Sequence, residues 1–431
     1  MIIVKALYGL KSSGARWHQR LADNLRDLGF RPSRADPDLW IRPMEDHHEY
    51  IAVIVDDLLI LSRNPELIMM YFSETQGYEL KGVGVPEYYS GADIEFDPML
   101  ECWSYGCKTY IRNVTERIEK LLEINLKNYA SPMEAGDHPE LDESDFLYGS
   151  DISKYQMLIG CAQWAVTLGR FDVQYATNTL ARYAAKPHEG HMERALRLFG
   201  YLKHNAKGRI MLTPKPMDLC SVVFTSEDWT DLYPDAEEHM PEEYPEPLTH
   251  EVQVTAMVDA SHASCMDTRR SVTGYLVFIG HAPIKWYSKR QNTVESSTYG
   301  SELVAMRIAT EALLEIRYKL RMMGIAYERS SYLLCNNQAC VINTQLPSSS
   351  LKKKHNAVAY HKCREAVAAS IVKTGFIRSK ENIADILTKP KGPADVYRLT
   401  REVLYGRVEE KRSAQNKGSS SEVVPLVTGM N

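Results

Sequence analysis

The sequence predicts a multidomain protein that mixes α+β and α/β units. Three observations predict it. Strand-like runs are followed by helix-like ones in both halves of the chain, one acidic, proline-rich segment divides those halves, and 431 residues suffice for two or three domains with their own cores. In order, "GARWHQRLADNLRDLGF" reads as a helix, and "EYIAVIVDDLLILSR" (49–63) as two strands around a bend. Residues 109–125 and 150–205 read as helices; in "YQMLIGCAQWAVTLGRFDVQYATNTLARYAA" apolar residues recur at three- and four-residue spacing. Residues 226–250 carry nine Asp/Glu and no Lys/Arg, a composition expected to form a solvated linker. Beyond it, "EVQVTAMVDASH" reads as a strand, and "SVTGYLVFIGHAPIKWYSKR" as two strands around a Gly/Pro turn. "SSTYGSELVAMRIATEALLEIRYKLRMMG" is a long amphipathic helix, with Ser297 or Thr298 as N-cap and Gly324 near its end. A strand "SSYLLCNN", a helix through "LKKKHNAVAYHKCREAVAAS", a strand "IVKTGFIRS" and a final "NIADILTK" complete a mixed α/β unit. The expected boundaries are 1–97, 98–225, 226–250, 251–390 and a mobile tail over 391–431.

No apolar run reaches the roughly 18–20 residues that span a bilayer, and the start lacks the apolar core of a secretory signal. Eight scattered cysteines form no CxxC pair and no zinc-ligand spacing, which points to free thiols in a reducing compartment. Charge is segregated. Residues 251–390 hold nineteen Lys/Arg against eleven Asp/Glu, a balance that suits a polyanion-binding surface.

Two adjacent carboxylates in an apolar run, Asp56 and Asp57, are costly unless a cation meets them. At a hairpin tip one could bind a divalent metal while the other braces the site. The plainer alternative is an exposed turn, where Asp is favoured for its own backbone hydrogen bonds. "KALYGLKSSGARWHQRL", "VDDLLIL" and "YELKGVGVPEYYSGADIEFD", in that order, resemble the second half of the polymerase core of copia-type long-terminal-repeat retrotransposons. Residues 153–203 are similar to the spacer that follows in that family. "DASHASCMDTRRSVTGYLVFI", "APIKWYSKRQNTVESSTYGSELVA" and "ENIADILTKP" resemble its ribonuclease H domain.

The resemblance implies a truncated reverse-transcriptase palm, a helical thumb- or connection-like spacer and a ribonuclease H-like mixed sheet. It further implies RNA-directed DNA synthesis and hydrolysis of RNA in RNA–DNA hybrids with Mg2+ or Mn2+. The partners would be RNA, DNA, hybrid and deoxynucleotides, inside the cell in a cytoplasmic particle or the nucleus, with assembly alongside an intact polyprotein copy left open. Asp56 and Asp57 would serve the metal-bound nucleotide, Gly9 and Lys11 would lie near nucleotide and template, and Lys81 near its phosphates. Ile54 stands where the family usually carries tyrosine. In the family, an upstream block supplies a further metal-binding aspartate and the fingers that hold template. The match starts after that block, so the chain alone is expected not to polymerise DNA.

For the nuclease, the resemblance marks Asp259, Glu302 and Asp385 as metal ligands. Read locally, Glu302 could instead favour a helix dipole, and Asp385 could be a simple first-turn acid. Where the family has an aspartate before Asn–Gln, this sequence has Asn336. Asparagine has nearly the same shape but is neutral, so one anionic ligand is lost. Ala357 likewise replaces a customary aspartate, and the nuclease is predicted crippled or dead. Arg269, Arg270, Lys285, Trp286, Lys289 and Arg290, with Lys352, Lys353 and Lys354, could hold nucleic acid through phosphate contacts and stacking. A solvated charged face with a core tryptophan is the plain alternative. A non-catalytic nucleic-acid-binding remnant and a genomic relic without function remain the rival readings.

Overall fold

The computed structural model describes residues 11–213, 215–351 and 354–406, and a two-residue strand at 427–428. Helix α1 (Ser13–Asp27) lays Leu21, Ala22 and Leu25 on an antiparallel sheet of β1 (Arg31–Pro32), β2 (Leu39–Pro43), β3 (His48–Ile54) and β4 (Asp57–Leu61). Every second residue of β3 and β4, among them Ile51, Val53, Leu58 and Ile60, is buried in that core, as the period of a half-buried strand requires. A short helix, α2 (Pro65–Met70), continues into one turn of π-helix that inserts Phe72 into the same core.

A second antiparallel sheet joins β5 (Tyr88–Tyr89), β6 (Ala92–Asp97), β7 (Cys102–Gly106) and β8 (Arg209–Leu212). The intervening chain forms α3 (Lys108–Leu122), α4 (Ser150–Thr167), α5 (Gln174–Ala181) and α6 (Glu189–His204), whose apolar faces meet in one cluster around Tyr155, Leu158, Phe199 and Leu202. Buried Arg170 is neutralised by a two-pronged pair to Asp172, which also accepts from the Tyr201 hydroxyl.

The third sheet contains β9 (Val254–Ser261), β10 (Val272–Ile279), β11 (Ala282–Arg290), β12 (Ser331–Cys335) and β13 (Val372–Phe376), in the order β11-β10-β9-β12-β13. β10 is antiparallel to both β9 and β11, whereas β12 is parallel to β9 and β13. This is the ribonuclease H-like mixed sheet implied by the sequence. β9 is central and buried on both sides: Ala256 and Val258 face the long helix α7 (Thr298–Met322), while Met257 faces a separate core. Ser297 caps α7 through a hydrogen bond from the Gly300 backbone, and Gly324, at φ +67°, ends it. Helices α8 (Gln338–Gln345) and α9 (Ala357–Ala368) complete that layer. Among the described residues no helix is long and apolar enough to cross a membrane.

Two expectations are corrected. The acidic segment 226–250 is largely exposed, as a solvated segment should be, but it is pinned along the protein as a strap and is not a free linker. Trp229 is buried beneath the Arg364 guanidinium, Glu238 receives a two-pronged pair from buried Arg317, and the Tyr233 hydroxyl meets His361 Nδ1 at 2.7 Å. The strap then reaches the first sheet, where the Glu246 carbonyl meets His48 Nε2 at 2.7 Å. Second, the tail does not start at 391, because α10 (Pro393–Tyr405) buries Val396, Leu399, Val403 and Leu404. Leu399 and Leu404 share one core with Phe171 and Ile210 of the middle region and Leu276 of β10.

Candidate carboxylate site

Three acids distant in sequence meet at one end of β9. Asp259 lies on β9 on the same face as Met257, because side chains two apart in a strand share a face. Glu302 comes from the second turn of α7, and Asp385 from a 3-10 turn, Ile383–Leu387, laid across β9 and β10. Gly274, paired with Asp259 in the β9–β10 register, permits that close approach. A Cβ there would stand 2.7 Å from Leu387 Cβ and from Thr388 Cγ2, so only glycine lets the turn reach the sheet.

All three carboxylates are nearly inaccessible: Asp259 is 2 % exposed, Asp385 5 % and Glu302 7 %. Burial, then the charge of Asp385, pushes the Asp259 carboxyl up from its ordinary range. Burial, then the charge of Asp259, pushes Glu302 well up. Each is raised in part by the charge of a neighbouring acid, so the three act as one electrostatic unit. Asn336, the residue after β12, lies beside these acids, and its Nδ2 donates to Asp259 Oδ1 at 3.1 Å and to Ser379 Oγ at 3.2 Å. Its own Oδ1 is buried and has no hydrogen-bond partner among the described residues.

The remaining carboxylate oxygens are held by further residues. Thr388 Oγ1 donates to Asp259 Oδ2, Lys389 Nζ stands 2.6 Å from Asp385 Oδ1, and Lys391 Nζ pairs with Asp385 Oδ2. Cys335 Sγ lies 3.9 Å from Glu302 Oε2. The sequence reading missed Thr388, Lys389, Lys391 and Ser379 as members of the site. The run "TKPK" directly after "DIL" is the one local signal for the first three.

Carboxylate oxygens are the donors that hard dications prefer. As arranged, however, they are not gathered around a cation: among the described residues no group of three or more His, Cys, Asp or Glu side chains is placed to hold a metal ion. Both oxygens of Asp259 accept from side chains of the protein, and both of Asp385 face its ammonium groups. The site as built does not fit a divalent ion.

Asp56 and Asp57 are placed at a tight hairpin, where Ile54 pairs with Asp57 and Val55–Asp56 form the bend. Val55 sits at φ +59°, a left-handed conformation costly for a β-branched residue (roughly 1–3 kcal/mol) and found where surroundings over-determine the backbone. Trp17 Nε1 supplies part of that constraint by donating to the Val55 carbonyl at 3.0 Å. Burial, then the neighbouring Asp56 charge, raises the Asp57 carboxyl. The Tyr89 hydroxyl donates to the Ala52 carbonyl at 3.2 Å, and burial and the Asp57 charge push it up to about 12. Ile54 is exposed beside the pair, and Lys11 and Lys81 are exposed. Gly9, Lys352 and Lys353 lie outside the described residues, and Lys354 opens a single 3-10 turn.

The nucleic-acid contacts expected from the sequence separate into two groups. Trp286 is half-buried and follows the core-tryptophan alternative: its indole N–H donates to the Val166 carbonyl at 3.1 Å and its ring packs near Phe171, so it joins β11 to α4. Lys285 pairs with Glu315, and Arg290 Nη1 is 3.8 Å from Cys265 Sγ. Lys289 and Arg269 are exposed, and Arg270 is half-buried.

The five-stranded mixed sheet carries the three converging acids, and a smaller α/β unit carries the paired hairpin aspartates. Residues 2–134 match the reverse transcriptase (RNA-dependent DNA polymerase) family. The chain is 26% identical over 387 residues to the retrovirus-related Pol polyprotein from transposon RE1 of Arabidopsis thaliana, covering 90% of this chain and 24% of that protein. It is 23% identical over 410 residues to the corresponding polyprotein from transposon TNT 1-94 of Nicotiana tabacum, covering 93% and 28%. To the putative transposon Ty5-1 protein of Saccharomyces cerevisiae it is 24% identical over 316 residues, covering 72% and 87%. Over most of its length the chain is thus similar to retrotransposon Pol polyproteins, and it spans about a quarter of the length of the two plant relatives. Among solved structures, LC11-RNase H1 in complex with RNA/DNA hybrid is similar at 15% identity and TM-score 0.26, covering 32% of this chain and 94% of that one. The RNase H1 of Halobacterium salinarum gives 14% and 0.25, covering 32% and 94%.

Proposed function

We propose that this chain is a reverse transcriptase/ribonuclease H piece that retains the capacity to hold nucleic acid but has an impaired nuclease centre. The observation that carries this reading is the Asn336 side chain. It donates a hydrogen bond to Asp259, and by the family resemblance it would stand in the place of an acid, where a ligand set for dications would need a further negative oxygen. Two-metal phosphoryl chemistry needs carboxylates from several elements, holding ions about 3.5–4 Å apart. Asp259, Glu302 and Asp385 come from three elements and would be the surviving ligands. Asp56 and Asp57 would be the corresponding acids for nucleotide addition. They share one hairpin, and among the described residues no third acid completes a metal-holding group with them. Exposed Lys289 on the edge strand β11, with exposed Arg269 and half-buried Arg270 just before β10, would track phosphates, with binding that weakens steeply as salt rises.

The test is cleavage of an RNA–DNA hybrid in Mn2+ by the chain and by its Asn336→Asp variant. Gain of cleavage by the variant over an inert parent supports the reading. A parent as active as the variant overturns it.

A further inference from the structure

Of the three clustered acids, Asp385 is the one paired directly to cations. Its side chain is 7% exposed, and each oxygen faces a different ammonium group, Lys389 on one side and Lys391 on the other. Lys391 is itself only 15% exposed, so it does not sample solvent as a surface lysine does. Lys389 faces the entire cluster: burial pulls it down, yet the charges of Asp259, Asp385 and Glu302 hold it above its ordinary value. Pro390 stiffens the backbone between the two lysines by fixing its own φ.

We propose that Lys389 and Lys391 are built-in counter-ions of the carboxylate cluster, occupying by charge the place of a divalent cation and closing the site without one. This rests on the cluster being a former dication site. Three carboxylates against two ammonium groups leave one net negative charge at most, and with an amide at 336 the cluster has no fourth anion among the described residues to draw a second dication in. An incoming ion must therefore displace at least one lysine from Asp385. The pairing also explains how three desolvated acids remain folded together, since an uncompensated buried charge is strongly destabilising.

Mn2+ is the probe, read by the paramagnetic signal of the free ion and by thermal unfolding of the full chain in EDTA and in excess Mn2+. The parent should bind no Mn2+ at the cluster and unfold at the same temperature in both conditions. Lys389→Met/Lys391→Met should unfold earlier in EDTA, recover in Mn2+, and bind the ion at least about tenfold more tightly than the parent. If the double variant does not fold in EDTA, Lys391→Met alone, which leaves Lys389 in place, should show the same dependence at smaller amplitude. A parent that binds Mn2+ as tightly as the variants, or variants indifferent to Mn2+, overturns the proposal. Adding Asp385→Asn separates the two levels. Loss of the acquired binding supports the cluster as the site, whereas acquired binding that persists without Asp385 places the ion elsewhere and removes the dication-site reading itself.

Discussion

Replacing Asn336 by aspartate puts a carboxylate where an amide now donates to Asp259 at 3.1 Å. One hydrogen bond of about 1 kcal/mol is lost, and a like-charge contact takes its place. Two unit charges at that separation repel by about 5 kcal/mol at an effective dielectric of about 20. Uptake of a proton by the pair and small side-chain movements relieve part of this, leaving a metal-free destabilisation of about 2–3 kcal/mol. A dication between the two carboxylates would turn the repulsion into attraction. Urea unfolding of parent and variant, each in EDTA and in millimolar Mn2+, reads both effects. The parent should be indifferent to the ion, while the variant should lose stability in EDTA and regain most of it in Mn2+. A variant as stable as the parent in EDTA would show that residue 336 does not face Asp259, and the reasoning about the fourth position would fail.

Other perturbations have equally definite outcomes. Gly274→Ala forces a Cβ against Leu387 and Thr388, and should cost about 1–3 kcal/mol in urea unfolding by lifting the turn that carries Asp385 from the sheet. Trp286→Phe should cost about 1 kcal/mol through loss of the indole hydrogen bond to the Val166 carbonyl, which keeps only the Gly169 N–H, and leave hybrid affinity unchanged; a selective loss of affinity would restore the stacking role. His191 is buried and held neutral, its Nδ1 accepting from the His188 backbone and its Nε2 donating to the Pro139 carbonyl, and burial lowers its pKa below 6.5. The unfolded chain therefore binds the proton more readily. Stability contributed here is complete above about pH 6.5 and falls as pH drops towards the depressed folded value, a slope that His191→Gln should flatten in pH-dependent unfolding.

Local pattern made the large elements legible. The alternation in β3 and β4, the long amphipathic α7 with Ser297 at its cap, and the acids Asp259, Glu302 and Asp385 were readable because each depends on its own neighbourhood and on ordered motifs. Long-range pairing was not legible. The acidic strap looks like a linker because nine carboxylates cannot build a core, and nothing near Glu238 or Trp229 reveals that Arg317 and Arg364 await them. Trp286 illustrates the same limit: flanking lysines suggest a stacking surface, but the sheet directs its indole into α4. Helix α10 could have been read, since Pro393 at its first turn, the apolar spacing Val396–Leu399–Val403 and Gly406 at φ +60° are ordinary start and stop signals. Lys391 left only a faint trace, a second cation two residues beyond Lys389.

The acids converge, and the proposed loss of a working dication centre is tested most directly by the rate at which the unmodified chain cleaves an RNA–DNA hybrid in Mn2+, compared with its Glu302→Gln variant prepared in parallel. The proposal predicts two indistinguishable rates at background. Cleavage by the parent that vanishes in Glu302→Gln would contradict it.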